Sequence, residues 1–127
     1  MNKEILEKVQ QYISEADKNN RYLITAEELD KELKAGGNIF ILDIRKPEDF
    51  AKEKIDLAYN VAYSDLNETM DVLPMDMKIV VVCYTGQLSC QVETLFRMLG
   101  YNAYSLAGGM NNGWKAAGLK TNSGCNT

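Results

Sequence analysis

IVVVCYTGQLS, residues 79–89, decides the fold. Its first four residues are β-branched and apolar, so KIVVVC, 78–83, reads as a buried strand. Downstream, QVETLFRMLG, 91–100, puts Val92, Leu95, Phe96 and Leu99 on one helical face, with Gly100 as the stop. Cys83 therefore stands where a strand ends and a helix begins. A thiolate is the reactive form of cysteine. A helix N-terminus offers it unpaired N–H groups and a partial positive charge. A short loop adds an anion nest, here by curling Tyr84 to Ser89 around the sulfur. Gly86 permits the tight path, and Ser89 suits the helix cap. On this local signal two readings stand side by side: a small buried hydrophobe, or a nucleophile at a helix start.

The same alternation runs outward in both directions. NIFILD, 38–43, reads as a strand ending at Asp43, AYNVA, 58–62, as another, and YNAYSL, 101–106, as a further one. Between them lie helix patterns. Thr25 and Glu28 have capping-box spacing for a helix from Ala26 to the Gly36-Gly37 stop. Pro47 opens a helix through PEDFAKEK, and Asp65 with Glu68 suggests a cap for a short helix before Pro74. GGMNNGWKAAG, 108–118, starts with a Gly-Gly turn and continues as a short helix carrying Trp114, expected as a packing anchor. Residues 3–17 form an amphipathic helix, with Ile5, Leu6, Val9, Tyr12 and Ile13 on the face that packs on the domain or on a partner. Strands alternating with helices imply an α/β fold with a parallel sheet and helices on both faces. Sites in such sheets lie at the C-terminal strand ends, where Asp43, Arg45 and Cys83 fall.

Composition removes several function classes. The chain has 127 residues, enough for one domain with its own core. Its net charge is −4 with no basic block, which gives nucleic acid binding no support. No apolar run is long enough to span a bilayer, and MNKEILEKVQQYISEADKNN has no continuous apolar stretch of a signal peptide. Three cysteines, Cys83, Cys90 and Cys125, lack CxxC spacing, so a reducing compartment, the cytoplasm, is expected. Histidine is absent, which removes Ser–His and Cys–His mechanisms and most zinc sites. No metal and no organic cofactor is expected. Arg45 is expected to pair with Glu48 or Asp49 and to fix loop geometry. Cys90 is expected in the core, with a resolving thiol as the alternative reading. An aromatic at the loop mouth, Tyr84, is placed to shape a pocket or touch an acceptor.

Taken together, CYTGQLS, LDIRKPEDF and GGMNNGW resemble the rhodanese-like domain family, over residues 22–118. Residues 1–21 then form a helical extension and 119–127 a flexible tail. The resemblance implies a five-stranded parallel sheet and a ping-pong sulfur transfer. Cys83 is the implied nucleophile, taking sulfane sulfur as a persulfide and passing it to cyanide, a thiol or a partner protein. Tyr84, Thr85, Gly86, Gln87, Leu88 and Ser89 are the implied substrate loop, and Asp43 with Arg45 its support. Gly108, Gly109 and Trp114 match the family's closing signature.

Two departures qualify the expectation. Many relatives carry Arg in the loop, where this chain has Tyr84 and Leu88, so thiosulfate has only backbone donors and the Thr85 hydroxyl to meet it. A protein or small-thiol persulfide is the better-suited donor. The related HIPGA segment appears as Lys54-Ile55-Asp56-Leu57-Ala58, a change in turn and packing residues. Phosphatases of similar fold need an Arg at the loop's end, where this chain has Ser89. The rival functional class is a partner-dependent sulfur carrier or interaction module that docks through the N-terminal helix. A fold without a catalytic role is disfavoured by the retained Cys83.

Overall fold

A computed structural model describes residues 1–124; Cys125 and its expected place in a loose tail lie outside the described residues. Five short strands form one parallel sheet: β1 (Leu23–Ile24), β2 (Ile39–Asp43), β3 (Tyr59–Asn60), β4 (Lys78–Val82) and β5 (Asn102–Leu106), in the order β1-β5-β4-β2-β3. The helices are α1 (Lys3–Lys18), α2 (Ala26–Lys34), α3 (Pro47–Lys52) and α4 (Gln87–Met98), with 3-10 turns at Asn20–Tyr22 and Tyr63–Glu68 and a π-type helix at Gly109–Trp114. No helix among the described residues is long and apolar enough to cross a membrane.

Strand alternation divides the interior into two cores. Val80 and Val82 point to one side with Ile41, Leu29, Phe50, Met110 and Trp114, under α2, α3 and the π-type helix. Ile79, Val81 and Cys83 point to the other with Leu42, Val92, Phe96 and Ala103, under α4 and the Tyr63–Glu68 turn. Helices thus cover both faces, as the alternation of elements requires. The capping box at Thr25 forms in full.

Several local expectations differ. β1 has only two residues and carries no periodic signal; it is held in register by β5, Leu23 against Ser105 and Ile24 against Leu106. Its approach is a left-handed turn through Asn20, Arg21 and Tyr22, at φ 52°, 55° and 57°. Tyr22 anchors that turn, buried with the Arg97 guanidinium 3.5 Å from its ring centre. On the expected apolar face of α4 only Val92 and Phe96 are buried, while Leu95 and Leu99 are exposed, because α4 rests on the sheet along a narrow stripe. Asp65 lies inside its 3-10 turn rather than capping it. Leu57 stands where the related pattern has glycine and takes φ 65°, so the turn persists with a strained side chain pointing to solvent. The tail is docked as far as Asn122. Leu119 packs on the core, Trp114 Nε1 donates to Lys120 O at 2.9 Å, and Asn122 pairs antiparallel with Lys54.

On α1 Ala16 is buried and Leu6 and Tyr12 are half-buried, whereas Ile5, Val9 and Ile13 face solvent. The clip is polar. Tyr12 OH donates to the Glu93 carboxylate, 2.9 and 2.8 Å from its two oxygens, and accepts from Thr94 Oγ1 at 3.0 Å. Burial pushes the Glu93 carboxyl up from 4.5 to about 7; the Tyr12 hydrogen bond and the Arg97 charge only partly oppose it.

The other buried charge sits where β2 ends. Asp43 is fully buried and accepts from Arg45 N, Nε and Nη2 at 2.8–3.1 Å, and Arg45 Nη2 also donates to Glu53 O at 2.6 Å. Arg45 thus pairs with Asp43, not with Glu48 or Asp49, because the chain folds back over the carboxylate within two residues. Asn60 Nδ2 contacts Asp43 O and Arg45 O, each at 2.9 Å, and ties β3 to the same turn.

Two outcomes follow from these buried charges. Arg45→Met leaves the Asp43 carboxylate buried without its partner and lowers unfolding free energy by about 3–5 kcal/mol in urea titration, and adding Asp43→Leu recovers part of the loss. For Glu93 the raised folded pKa makes its stabilising share complete below about 4.5 and lost as pH rises through about 7. The Glu93→Gln protein therefore gains urea resistance relative to the parent between pH 5 and pH 8; a pH-independent difference would contradict the assignment.

Candidate active-site loop

β4 delivers Cys83 to the C-terminal edge of the sheet, with its side chain 2% exposed and its backbone entering a sharp loop. Gly86 makes the loop possible: at φ 97° it turns left-handed and becomes the N-cap of α4. It has no side chain to cap the helix. The sulfur of Cys83 takes that place, accepting from Gly86 N at 3.1 Å and from Ser89 N at 3.3 Å. Ser89 was the expected cap, but it is the third residue of α4 and fully buried, since the sulfur already occupies the capping position. Its hydroxyl lies 3.3 Å from Cys83 Sγ and 3.2 Å from Gly86 O. The sulfur thus sits at the positive end of α4, surrounded by donors.

The loop is braced from outside. Met110 N donates to Cys83 O at 2.8 Å and Asn111 N to Tyr84 O at 2.9 Å. Gly109 is pressed against that backbone: a Cβ there would fall 2.5 Å from Cys83 O and 2.7 Å from Tyr84 C. The Gly-Gly pair is therefore a clamp on the cysteine loop as well as a turn. On the opposite side Tyr84 OH donates to Asp49 and accepts from Lys46 N at 3.2 Å, and the Arg45 guanidinium carbon lies 5.8 Å from its ring centre. Burial, then the Asp49 contact, raises the Tyr84 hydroxyl pKa, so it stays a donor. Asp43 and Arg45 make no hydrogen bond to Cys83; they shape the neighbouring turn that receives Tyr84.

Above the sulfur opens a shallow cleft of about 360 Å³, lined by Cys83, Tyr84, Thr85, Gln87, Leu88 and Gln91. No lining residue is charged. The cleft therefore brings together the six loop residues read from the sequence except Gly86 and Ser89, which lie beneath it and hold the sulfur. Gln91 was not anticipated; it sits one turn into α4, and Tyr63 OH donates to its Oε1 at 2.6 Å. A larger groove of about 740 Å³ lies beyond the N-terminal end of β2, against Leu33, Ile39, Ile55, Trp114 and Leu119, and no thiol lines it. Cys90 is half-buried, with Sγ 3.5 Å from Ser105 Oγ, a less complete burial than a core role requires. Ser105 was also missed. Its signal was faint: a hydroxyl on the same strand face as Ala103 in an otherwise apolar row.

The sequence model of the rhodanese-like domain matches residues 25–117. The Bacillus subtilis protein YtwF, whose name gives sulfurtransferase as a provisional assignment, is 26% identical over 87 residues, 68% of this chain and 84% of that protein. A tRNA sulfurtransferase of Desulfurococcus amylolyticus is 32% identical over 74 residues, but the match spans only 14% of that protein's length. Among solved structures, a rhodanese-related protein of Thermoplasma volcanium superposes with a TM-score of 0.71 at 27% identity, covering 78% of this chain and 95% of that one. A full-length protein of Lactobacillus plantarum gives 0.67 at 25% identity, covering 97% and 99%. The parallel sheet, the cysteine loop at its edge and the match along most of the sequence lead to one conclusion: this chain belongs to the rhodanese-like domain family.

Proposed function

We propose that this protein is a sulfurtransferase with Cys83 as its nucleophile. One observation carries the reading: the Cys83 sulfur accepts N–H groups from Gly86 and Ser89 at the start of α4, where negative charge is favoured. In the first half-reaction the Cys83 thiolate attacks the outer sulfur of a donor. A new S–S bond forms, the donor's S–S bond breaks, and the donor leaves as sulfite or as a thiolate. In the second, an acceptor nucleophile takes the outer sulfur from the Cys83 persulfide and the thiolate returns. The sequence is redox-neutral and needs neither metal nor organic cofactor. Gln87 and Leu88 lie in the first turn of α4, where N–H groups lack intrahelical acceptors, so theirs are available to an added sulfur. The chemistry asks for a free thiol, hence a reducing compartment such as the cytoplasm.

The uncharged cleft guides the donor. Thiosulfate is a dianion and meets no cation there, since Arg45 is committed to Asp43. A persulfide carried on a small thiol or a protein fits better. The same feature favours a second reading, a carrier that receives sulfur from one protein and delivers it to another with little small-molecule turnover.

Intact-mass measurement separates these. The reduced protein exposed to a small persulfide gains one sulfur that cyanide removes, and the Cys83→Ala protein gains none at that position. With thiosulfate, loading at equal concentration is at least about tenfold slower, the worth of one charge-assisted contact. No added sulfur from either donor would end the enzyme reading and leave the partner-dependent carrier. In a separate test of the uncharged cleft, Leu88→Arg restores a cation beside the sulfur and raises thiosulfate loading; an unchanged rate would show that charge is not what limits that donor.

A further inference from the structure

We propose that Ser105, on β5, is a positioning residue that acts on Cys83 through Ser89. The inference rests on Cys83 working as a thiolate. Ser105 and Ser89 are both fully buried, and their hydroxyl oxygens lie 2.8 Å apart. Ser89 Oγ lies 3.3 Å from Cys83 Sγ, and Cys90 Sγ lies 3.5 Å from Ser105 Oγ at the other end. A chain of four polar side chains, Cys83–Ser89–Ser105–Cys90, thus runs beneath α4 through an otherwise apolar layer. Packing alone gives no reason for Ser105. Its strand neighbour on the same face is Ala103, and burying a hydroxyl costs free energy unless it is hydrogen-bonded.

Proton counting supplies the reason. Ser89 has one hydroxyl proton. With Cys83 neutral, its S–H points to Ser89 Oγ and Ser89 donates to Gly86 O, 3.2 Å away. When the sulfur ionises it can only accept, so the Ser89 proton turns toward it. In both states Ser105 donates to Ser89 Oγ and Ser105 Oγ accepts the weak Cys90 S–H, since the one Ser89 proton goes either to Gly86 O or to the sulfur. Each bond in such a chain strengthens the next. The Ser105 donation makes the Ser89 hydroxyl a stronger donor and its oxygen a poorer acceptor, which favours the anionic sulfur that accepts from Ser89 over the neutral thiol that donates to it.

The test is alkylation of Cys83 by iodoacetamide as a function of pH, read at the Cys83 peptide by mass spectrometry, with thermal melts to confirm folding. Ser105→Ala is expected to slow alkylation near pH 7 by about 3- to 10-fold and to move the profile to higher pH, the scale of one buried hydrogen bond. Ser105→Thr, which keeps the hydroxyl, is expected to retain the parent profile. In a Ser89→Ala background, Ser105→Ala should add nothing further. A parent-like profile for Ser105→Ala, or an equal shift on top of Ser89→Ala, overturns the proposal. Should Ser105→Ala not fold, Ser105→Cys keeps the volume with a weaker donor, and it must give an intermediate profile. No sulfur donor enters this assay. A failed persulfide experiment beside a shifted profile would therefore count against sulfur transfer and not against the Ser105 relay.

Discussion

The sulfur of Cys83 fills the place that a serine or aspartate oxygen takes at most helix starts. Under the proposed function, that substitution ties reactivity and folding to the same atom. α4 begins at a glycine with no capping side chain, and the N–H groups of Gly86 and Ser89 converge on the sulfur. Negative charge at that atom then stabilises the helix, and the helix stabilises the charge. The chain has no histidine to take the thiol proton, so a nucleophilic role for Cys83, as proposed, rests on this arrangement.

The loop keeps its shape because three different segments hold it. The π-type helix grips its backbone at Cys83 and Tyr84, with Gly109 supplying the clearance. The turn after β2, rigid through the buried Asp43–Arg45 pair, receives the Tyr84 ring and hydroxyl. β5 lies below with Ser105. Loop residues held on all sides can keep donors aimed at one point, and such aim is what electrostatic stabilisation of a reacting atom requires.

Much of this was legible in the residues, because the relevant signals are local. The apolar run at 78–82, the Thr25 box, Pro47 and the glycine stops each act within a few residues, and the elements appear where these signals lie. Cys83 and its loop were legible by the same logic. The misses have a common cause: they depend on contacts distant in sequence. β1 exists through its pairing with β5, and its left-handed approach is held by Tyr22 against Arg97, with no glycine to mark it. Tyr84 meets Asp49, and Ser89 meets Ser105, across strands whose order no local pattern discloses. Arg45 pairs with Asp43 and not with Glu48 or Asp49 because the turn after β2 folds the chain back on itself, which no local residue pattern marks. Ser89 looked like a cap because no sequence rule lets a sulfur from the preceding strand take that role.

The strap formed by Leu119 to Asn122 bears on how small this folding unit can be made. The match to the family's sequence model ends at residue 117, yet the packing goes on: Trp114 gives its indole proton to Lys120, and Asn122 closes a two-way bridge with Lys54. Trimming to the limits of similarity would leave a buried indole N–H without an acceptor, beneath the helix that clamps the cysteine loop. At the other end, cutting at residue 25 would remove β1 and the tyrosine stacked on Arg97. The smallest piece that keeps the cysteine loop braced is therefore wider on both sides than the 25–117 stretch matched by the family's sequence model.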